Sequence, residues 1–152
     1  MSAPIDLTAV QQAARDTIAA HSYFATKAVL LDNGVVQDQE EAALNGVNAD
    51  VTAGECVTVL PLLDGELTGM GASAGQINVG VGVRYAVNPQ KSATDPLELM
   101  KKGTAALLGY SSAEKRNNFK LAQKAFLIDV DDQGCRAFTA FYEKLCEMKF
   151  SD

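Results

Sequence analysis

The residues best suited to covalent chemistry lie in the segment Gly71–Gly75, GASAG, which matches the G-x-S-x-G pattern of a serine hydrolase. In that pattern a strand precedes the serine and a helix follows it, because this turn lifts the hydroxyl above the sheet. Here a strand-like alternation follows Ser73, and the only histidine, His21, precedes the serine instead of following it. The pattern therefore favours a loop of small residues, and a small intracellular hydrolase that uses Ser73 is an alternative.

Two other patterns resemble ligand sites without completing them. The stretch Asp129–Gly134 reproduces the first half of a calcium-binding loop, but its twelfth position is Ala140, so the bidentate carboxylate is missing. With one histidine and no CxxC spacing, the three cysteines favour free thiols in a reducing compartment over a zinc site or a disulfide. These cysteines are Cys56, Cys135 and Cys146. We therefore predict no catalytic residue, no cofactor and no metal.

The charge of the chain is unevenly distributed. The net charge is −6, yet residues 1–66 hold ten acidic residues against two basic ones, and residues 67–152 hold nine against eleven. An acidic protein of this kind is a poor partner for nucleic acid, because phosphate contacts need a basic surface. Six of the basic residues form the only basic cluster in the sequence, which is either a solvated face or a docking patch for an acidic partner. Its members are Lys101, Lys102, Lys115, Arg116, Lys120 and Lys124.

Apolar spacing and turn residues predict the elements that would position these groups. Residues 38–45, which begin with Asp38-Gln39-Glu40-Glu41, fit either a short helix or a solvated acidic loop. Residues 65–76 are rich in glycine and small polar residues, so we expect a mobile loop that exposes Met70. The remaining predicted elements are helices over 5–21 and 96–108, strands over 23–31, 56–63 and 77–87, and a hairpin of 125–130 with 135–142.

The clearest signals are one strand and one helix start. In the strand Ile77–Val87, apolar residues alternate with small or polar ones, and two glycines on one face suggest a close backbone approach. For the helix, Asp95 is the predicted cap, Pro96 takes the first helical position and Glu98 completes a capping box.

These elements predict a single α+β domain over residues 1–152, with an antiparallel or mixed sheet and the two main helices packed on one face. No apolar run approaches the roughly 18 residues that a membrane-spanning helix needs. The first ten residues lack the basic and apolar regions of a signal peptide, so we expect an intracellular origin.

The order of these elements resembles the tail-terminator and tail-completion proteins of long-tailed bacteriophages. The resemblance covers roughly residues 5–142 and rests on layout and a few local phrases. These are the β-rich Val57–Pro61, the long strand that ends at Val87-Asn88-Pro89, and the helix phrase from Pro96-Leu97-Glu98-Leu99 to Gly109-Tyr110. The acidic stretch 38–41 and the length of the 65–76 loop depart from the family pattern.

The resemblance implies a structural virion protein, not an enzyme, that forms a homohexameric ring at the phage neck. Such a ring terminates the tail tube, joins it to the head-side connector protein and lets DNA pass through its lumen without sequence-specific binding. It implies assembly in the host cytoplasm and no contact with a membrane. Another neck or head-completion protein, or a monomeric ligand-binding α+β domain, is an alternative. The residues that we expect at subunit contacts are Asp38, Glu40, Glu41, Glu66, Met70, Lys101, Lys102, Lys115, Arg116 and Lys120.

Overall fold

The computed structural model describes residues 7–32, 34, 36–47, 50–61, 64–70, 74–109, 119–122, 127–130 and 134–149. The helices are α1 (Leu7–Ala20), α2 (Gln37–Leu44) and α3 (Pro96–Leu108), with a 3-10 turn at Ser22–Phe24. The strands are β1 (Ala28–Leu31), β2 (Glu55–Val59), β3 (Asp64–Met70), β4 (Ala74–Val87), β5 (Lys120–Leu121), β6 (Leu127–Val130) and β7 (Arg136–Lys149).

Two long antiparallel strands, β4 and β7, form the centre of the sheet. Their register runs from Ala74 opposite Lys149 to Val87 opposite Arg136. The other edge of β4 pairs with β2 at one end and with β3 at the opposite end, and β1 joins β2 in parallel. The other edge of β7 pairs with β5 and β6. The sheet is therefore mixed, and the fold is α+β, as predicted.

The helices α1 and α3 pack on one face of the sheet, also as predicted. Alternate β4 residues face these helices, and Val79, Val81, Val83 and Tyr85 are all buried. Helix α1 contributes Val10, Ala14 and Ile18 to this core, while α3 contributes Leu99, Met100 and Leu107. Burying alternate residues on a strand and one stripe on each helix removes most apolar surface from water, which is the main favourable term in folding.

The predicted start and end of α3 are confirmed. The Asp95 carboxylate accepts a hydrogen bond from the Leu97 N–H at 2.9 Å, and Pro96 is the first helical residue. Gly109 ends the helix with φ 65°, a left-handed conformation that glycine adopts without the clash a Cβ atom would create. Local sequence therefore determines both ends of this helix.

Helix α2 covers the opposite face of the sheet at its β1 edge. Residues 38–45 are predicted as either a short helix or a solvated acidic loop, and the structure shows the helix. Ala43 and Leu44 pack with Ala28, Cys56 and Ala86 in a second, smaller cluster of small side chains. Because these strand residues alternate with those of the main core, α2 lies on the face opposite to α1 and α3.

The predicted loop at residues 65–76 is wrong. Residues 64–70 form β3, which pairs antiparallel with the first half of β4, with an irregularity between Leu67 and Gly69. Pairing with β4 provides partners for the backbone N–H and C=O groups of this segment, although its apolar residues alternate only weakly. Glu66 and Met70 lie on β3, but their side chains are outside the described part of the structure, so the expected role of Met70 stays a prediction.

Three other boundaries differ from the prediction. The 23–31 segment begins with the 3-10 turn, so β1 itself is only Ala28–Leu31. Strand β2 ends at Val59 instead of residue 63, close to Pro61, which has no N–H for a ladder. The predicted closing hairpin is present, but β7 extends to Lys149 because β4 offers it a partner along its whole length.

Candidate functional site

The acidic face of α2 is the first candidate interaction surface. Asp38, Gln39 and Glu41 are exposed there. Glu40, which is predicted at a subunit contact, is partly buried and bonds to two residues of its own chain. Its carboxylate accepts hydrogen bonds from the Thr58 hydroxyl at 2.5 Å and from the Arg84 guanidinium at 3.3 Å. Asp38 and Glu41 are therefore the residues of this acidic set whose side chains face solvent.

The basic residues lie away from this acidic face. Lys101 is exposed on α3, and Lys120 is exposed on the edge strand β5. Lys102 is half-buried, with its ammonium 5.6 Å from the ring centre of Tyr23 in a cation–π contact. Lys115 and Arg116 lie outside the described residues. The structure therefore separates the described members of the basic set from α2, because α3 covers the other face of the sheet.

A buried ion pair, which the sequence did not indicate, lies beside Tyr23. The Lys27 ammonium is 2.9 Å from the Glu55 carboxylate and 4.8 Å from the Tyr23 ring centre. Burial raises the pKa of the Tyr23 hydroxyl, and the negative charges of Glu55 and Glu98 raise it further. The two charges neutralise each other and are largely shielded from solvent, so we assign this ion pair to the internal packing of the chain.

An open cavity of about 430 Å³ lies where α2 meets the edge strand β1. Its walls are mostly apolar and come from both elements and from the segment before β2. They include Ala28, Leu30, Ala42, Ala43 and Val51, with Gln39 and Lys27 also at the lining. The cavity therefore lies beside the exposed acidic residues of α2.

The opposite edge of the sheet, formed by β5 and β6, exposes apolar side chains. Leu121 on β5 is 42% exposed and Val130 on β6 is 59% exposed. The exposed basic residues Lys120 and Arg136 lie on or beside these strands. One edge of the chain thus exposes two carboxylates of α2 beside a mostly apolar cavity, and the other exposes Lys120, Arg136 and two apolar side chains.

A second cavity, of about 350 Å³, lies at the start of α3. Ser92, Thr94, Asp95 and Arg136 contribute its polar groups. The Asp95 carboxylate is bonded to the helix N-terminus, and the Ser92 hydroxyl accepts a hydrogen bond from the Thr94 N–H. The Asp95 carboxylate and the Ser92 hydroxyl are therefore engaged in local capping and turn contacts.

The groups considered for catalysis are engaged in local contacts or lie outside the described residues. His21 accepts a hydrogen bond from the Tyr23 N–H through Nδ1, at 3.2 Å. Ser73 lies outside the described residues, and the element that follows it is strand β4 where a nucleophile elbow requires a helix. Burial raises the pKa of the Cys56 thiol to about 12, which keeps it protonated at neutral pH.

Comparison of the sequence with models of known protein families finds no match, and no curated protein matches it. Within the described residues, no three metal-ligating side chains come together in a possible metal site. No helix in the described ranges has the length and apolar character to cross a membrane.

Proposed function

We propose that this protein is a structural component of a long-tailed bacteriophage, forming a ring at the neck of the virion. The ring would terminate the tail tube and join it to the head-side connector protein. The order of elements described above and the resemblance to tail-terminator proteins support this proposal.

The observation that carries the proposal is the unlike character of the two edges of one subunit. A ring built by rotation brings two different surfaces of neighbouring copies together, in a head-to-tail contact. The α2 edge is acidic, with exposed Asp38 and Glu41, whereas the β5 edge carries the exposed cation Lys120. Such edges attract each other between copies, while like edges repel, so head-to-tail contacts are favoured over symmetric pairs.

Charge would select the orientation of the copies, and buried apolar area would hold them together. Each exposed ion pair contributes only about 0.2–1 kcal/mol. The net charge of −6 leaves excess acid on the ring, which suits a lumen through which DNA passes without binding. The copies would assemble in the host cytoplasm as a homohexamer, the state that the resemblance implies.

The experiment is a mass measurement of the purified protein combined with negative-stain electron microscopy. The proposal predicts rings with a central hole and a mass about six times the monomer mass of 16.1 kDa. Incubation with tail tubes should place the ring at one tube end and stop tube growth. Tubes that grow without limit in its presence would refute termination. A protein that stays monomeric both alone and with tubes would favour a ligand-binding domain instead.

A further inference from the structure

The two edges of the subunit differ in shape as well as in charge. The β1 edge holds the 430 Å³ cavity, and the β5 edge projects Leu121, which is 42% exposed. A projecting apolar side chain on one surface and an apolar cavity on a different surface of the same molecule generate a head-to-tail contact between copies. The cavity is large enough, since an apolar cavity of about 150 Å³ already accommodates benzene.

We infer that the occupant of the β1–α2 cavity is Leu121 of a second copy of this chain. This inference rests on the proposed ring function and specifies the contact that would close the ring. Leu121 belongs to a two-residue edge strand whose only described strand partner is β7, so it lies at the margin of the sheet. The cavity lies at the opposite margin, beside β1.

Charge complementarity identifies a second copy as the occupant. Lys120 is the immediate neighbour of Leu121 and is exposed, and Glu143 is its cross-strand neighbour on β7. Asp38 and Glu41 are exposed on α2, the helix that forms one wall of the cavity. When Leu121 enters the cavity, the Lys120 ammonium approaches these carboxylates, whereas a symmetric contact would bring two α2 helices, and their like charges, together.

The experiment uses the full-length protein and two variants that damage opposite halves of the contact. Leu121→Asp puts a charge on the projecting side chain, and Ala42→Trp fills the cavity from a partly exposed helix position. Each variant alone should weaken self-association roughly tenfold or more, because Leu121→Asp would bury an unpaired charge in the cavity and Ala42→Trp would leave no room for Leu121. The matched control is Thr17→Asp, since Thr17 is exposed on α1, which packs on the sheet face opposite to α2, and it lies neither at the cavity lining nor on β5.

Mixing the two variants is the decisive step. The Leu121→Asp copy keeps an intact cavity, and the Ala42→Trp copy keeps an intact Leu121, so the mixture has one productive contact. Sedimentation velocity at low ionic strength should show each variant as single copies and the mixture as two-copy complexes that grow no further. Circular dichroism verifies that each variant is folded.

A charge swap gives an independent measurement that needs no change in the cavity. Lys120→Glu should weaken self-association at low salt, and Glu41→Lys in the same chain should restore it. The loss should shrink as salt rises, because the screening length falls to about 10 Å at 0.1 M ionic strength.

Three results would overturn the inference: a wild-type protein that stays monomeric at all concentrations, a Leu121→Asp variant that assembles like the wild type, or a mixture that remains monomeric. If the Leu121→Asp variant assembles like the wild type and rings are still visible by microscopy, the Leu121 contact is refuted but the proposed ring is not. Rings that form but fail to stop tube growth have the opposite meaning, since they refute termination and leave the contact intact.

Discussion

The substitution Gly103→Ala tests whether tertiary packing or helix propensity decides the stability of α3. Gly103 is buried, and an added Cβ would lie 2.6 Å from Cζ of Tyr85, with Oη and Cε1 of the same ring closer still. Real Cβ atoms essentially never approach so closely, so the ring or the helix must shift. The Tyr85 hydroxyl bonds Tyr142 at 2.9 Å, and Tyr142 bonds Thr104 at 2.6 Å.

The expected sign follows from magnitudes. In an exposed helix interior, glycine to alanine stabilises by about 1 kcal/mol. Overpacking a core costs about 1–3 kcal/mol, and a buried hydroxyl that loses its partner costs about 1–3 kcal/mol more. The Tyr85 side chain is fully buried, so displacing it would incur both the overpacking cost and the cost of the broken hydrogen bond. We expect a net loss of about 1–4 kcal/mol in the free energy of unfolding.

The assay is urea unfolding followed by circular dichroism, with equal slopes required for wild type and variant. Ala106→Gly on the same helix is the control for propensity, and it should cost up to about 1 kcal/mol. In a Tyr85→Phe background the cost of Gly103→Ala should fall, because the phenol oxygen no longer meets the new methyl group. A Gly103→Ala variant at least as stable as the wild type would refute the packing argument.

Three further predictions concern the charged and titratable residues. Glu40→Ala should cost about 1–3 kcal/mol in urea unfolding, because the buried Thr58 hydroxyl and the partly exposed Arg84 guanidinium lose their acceptor, whereas exposed Glu41→Ala should stay within about 0.5 kcal/mol. Thermal unfolding against pH should show stability falling as pH rises from 9 toward 12. Burial raises the pKa of Cys56 from 9.0 to about 12, so only the unfolded chain loses this proton in that window, and Cys56→Ala should reduce the slope. Reversing Lys101 and Lys102 to Glu should weaken ring closure at low salt and less at high salt; light scattering that finds no difference at low salt would assign these residues to a solvated face.

Much of the fold was predictable because its signals are local. The alternation of Ile77–Val87 predicted a strand with one face in the core, and Val79, Val81 and Val83 are buried there. The Asp95 cap and the glycine after Leu108 predicted both ends of α3. Each signal depends on residues within a few positions of one another, where backbone geometry alone decides which groups can meet.

The candidate surfaces were only partly predictable. The sequence distinguished an acidic half from a more basic half, which pointed to unlike surfaces. It did not indicate that Glu40 is tied to Arg84, 44 residues away, or that Leu121 projects from the sheet margin opposite the cavity. The sequence predicts a loop at residues 65–76 because they are rich in glycine and small polar residues, and the partner strand that organises residues 64–70 is identified only by the sheet.

The sequence by itself determined the α+β class, the helix-facing side of the central strand and the caps of α3, because these follow from side-chain periodicity and local hydrogen bonding. Tertiary structure alone decided which acidic residues remain at the surface, which elements form the two edges and how closely Gly103 approaches Tyr85. These features depend on contacts between residues far apart in the chain, and such contacts exist only when the sheet order and the helix packing have brought those residues together.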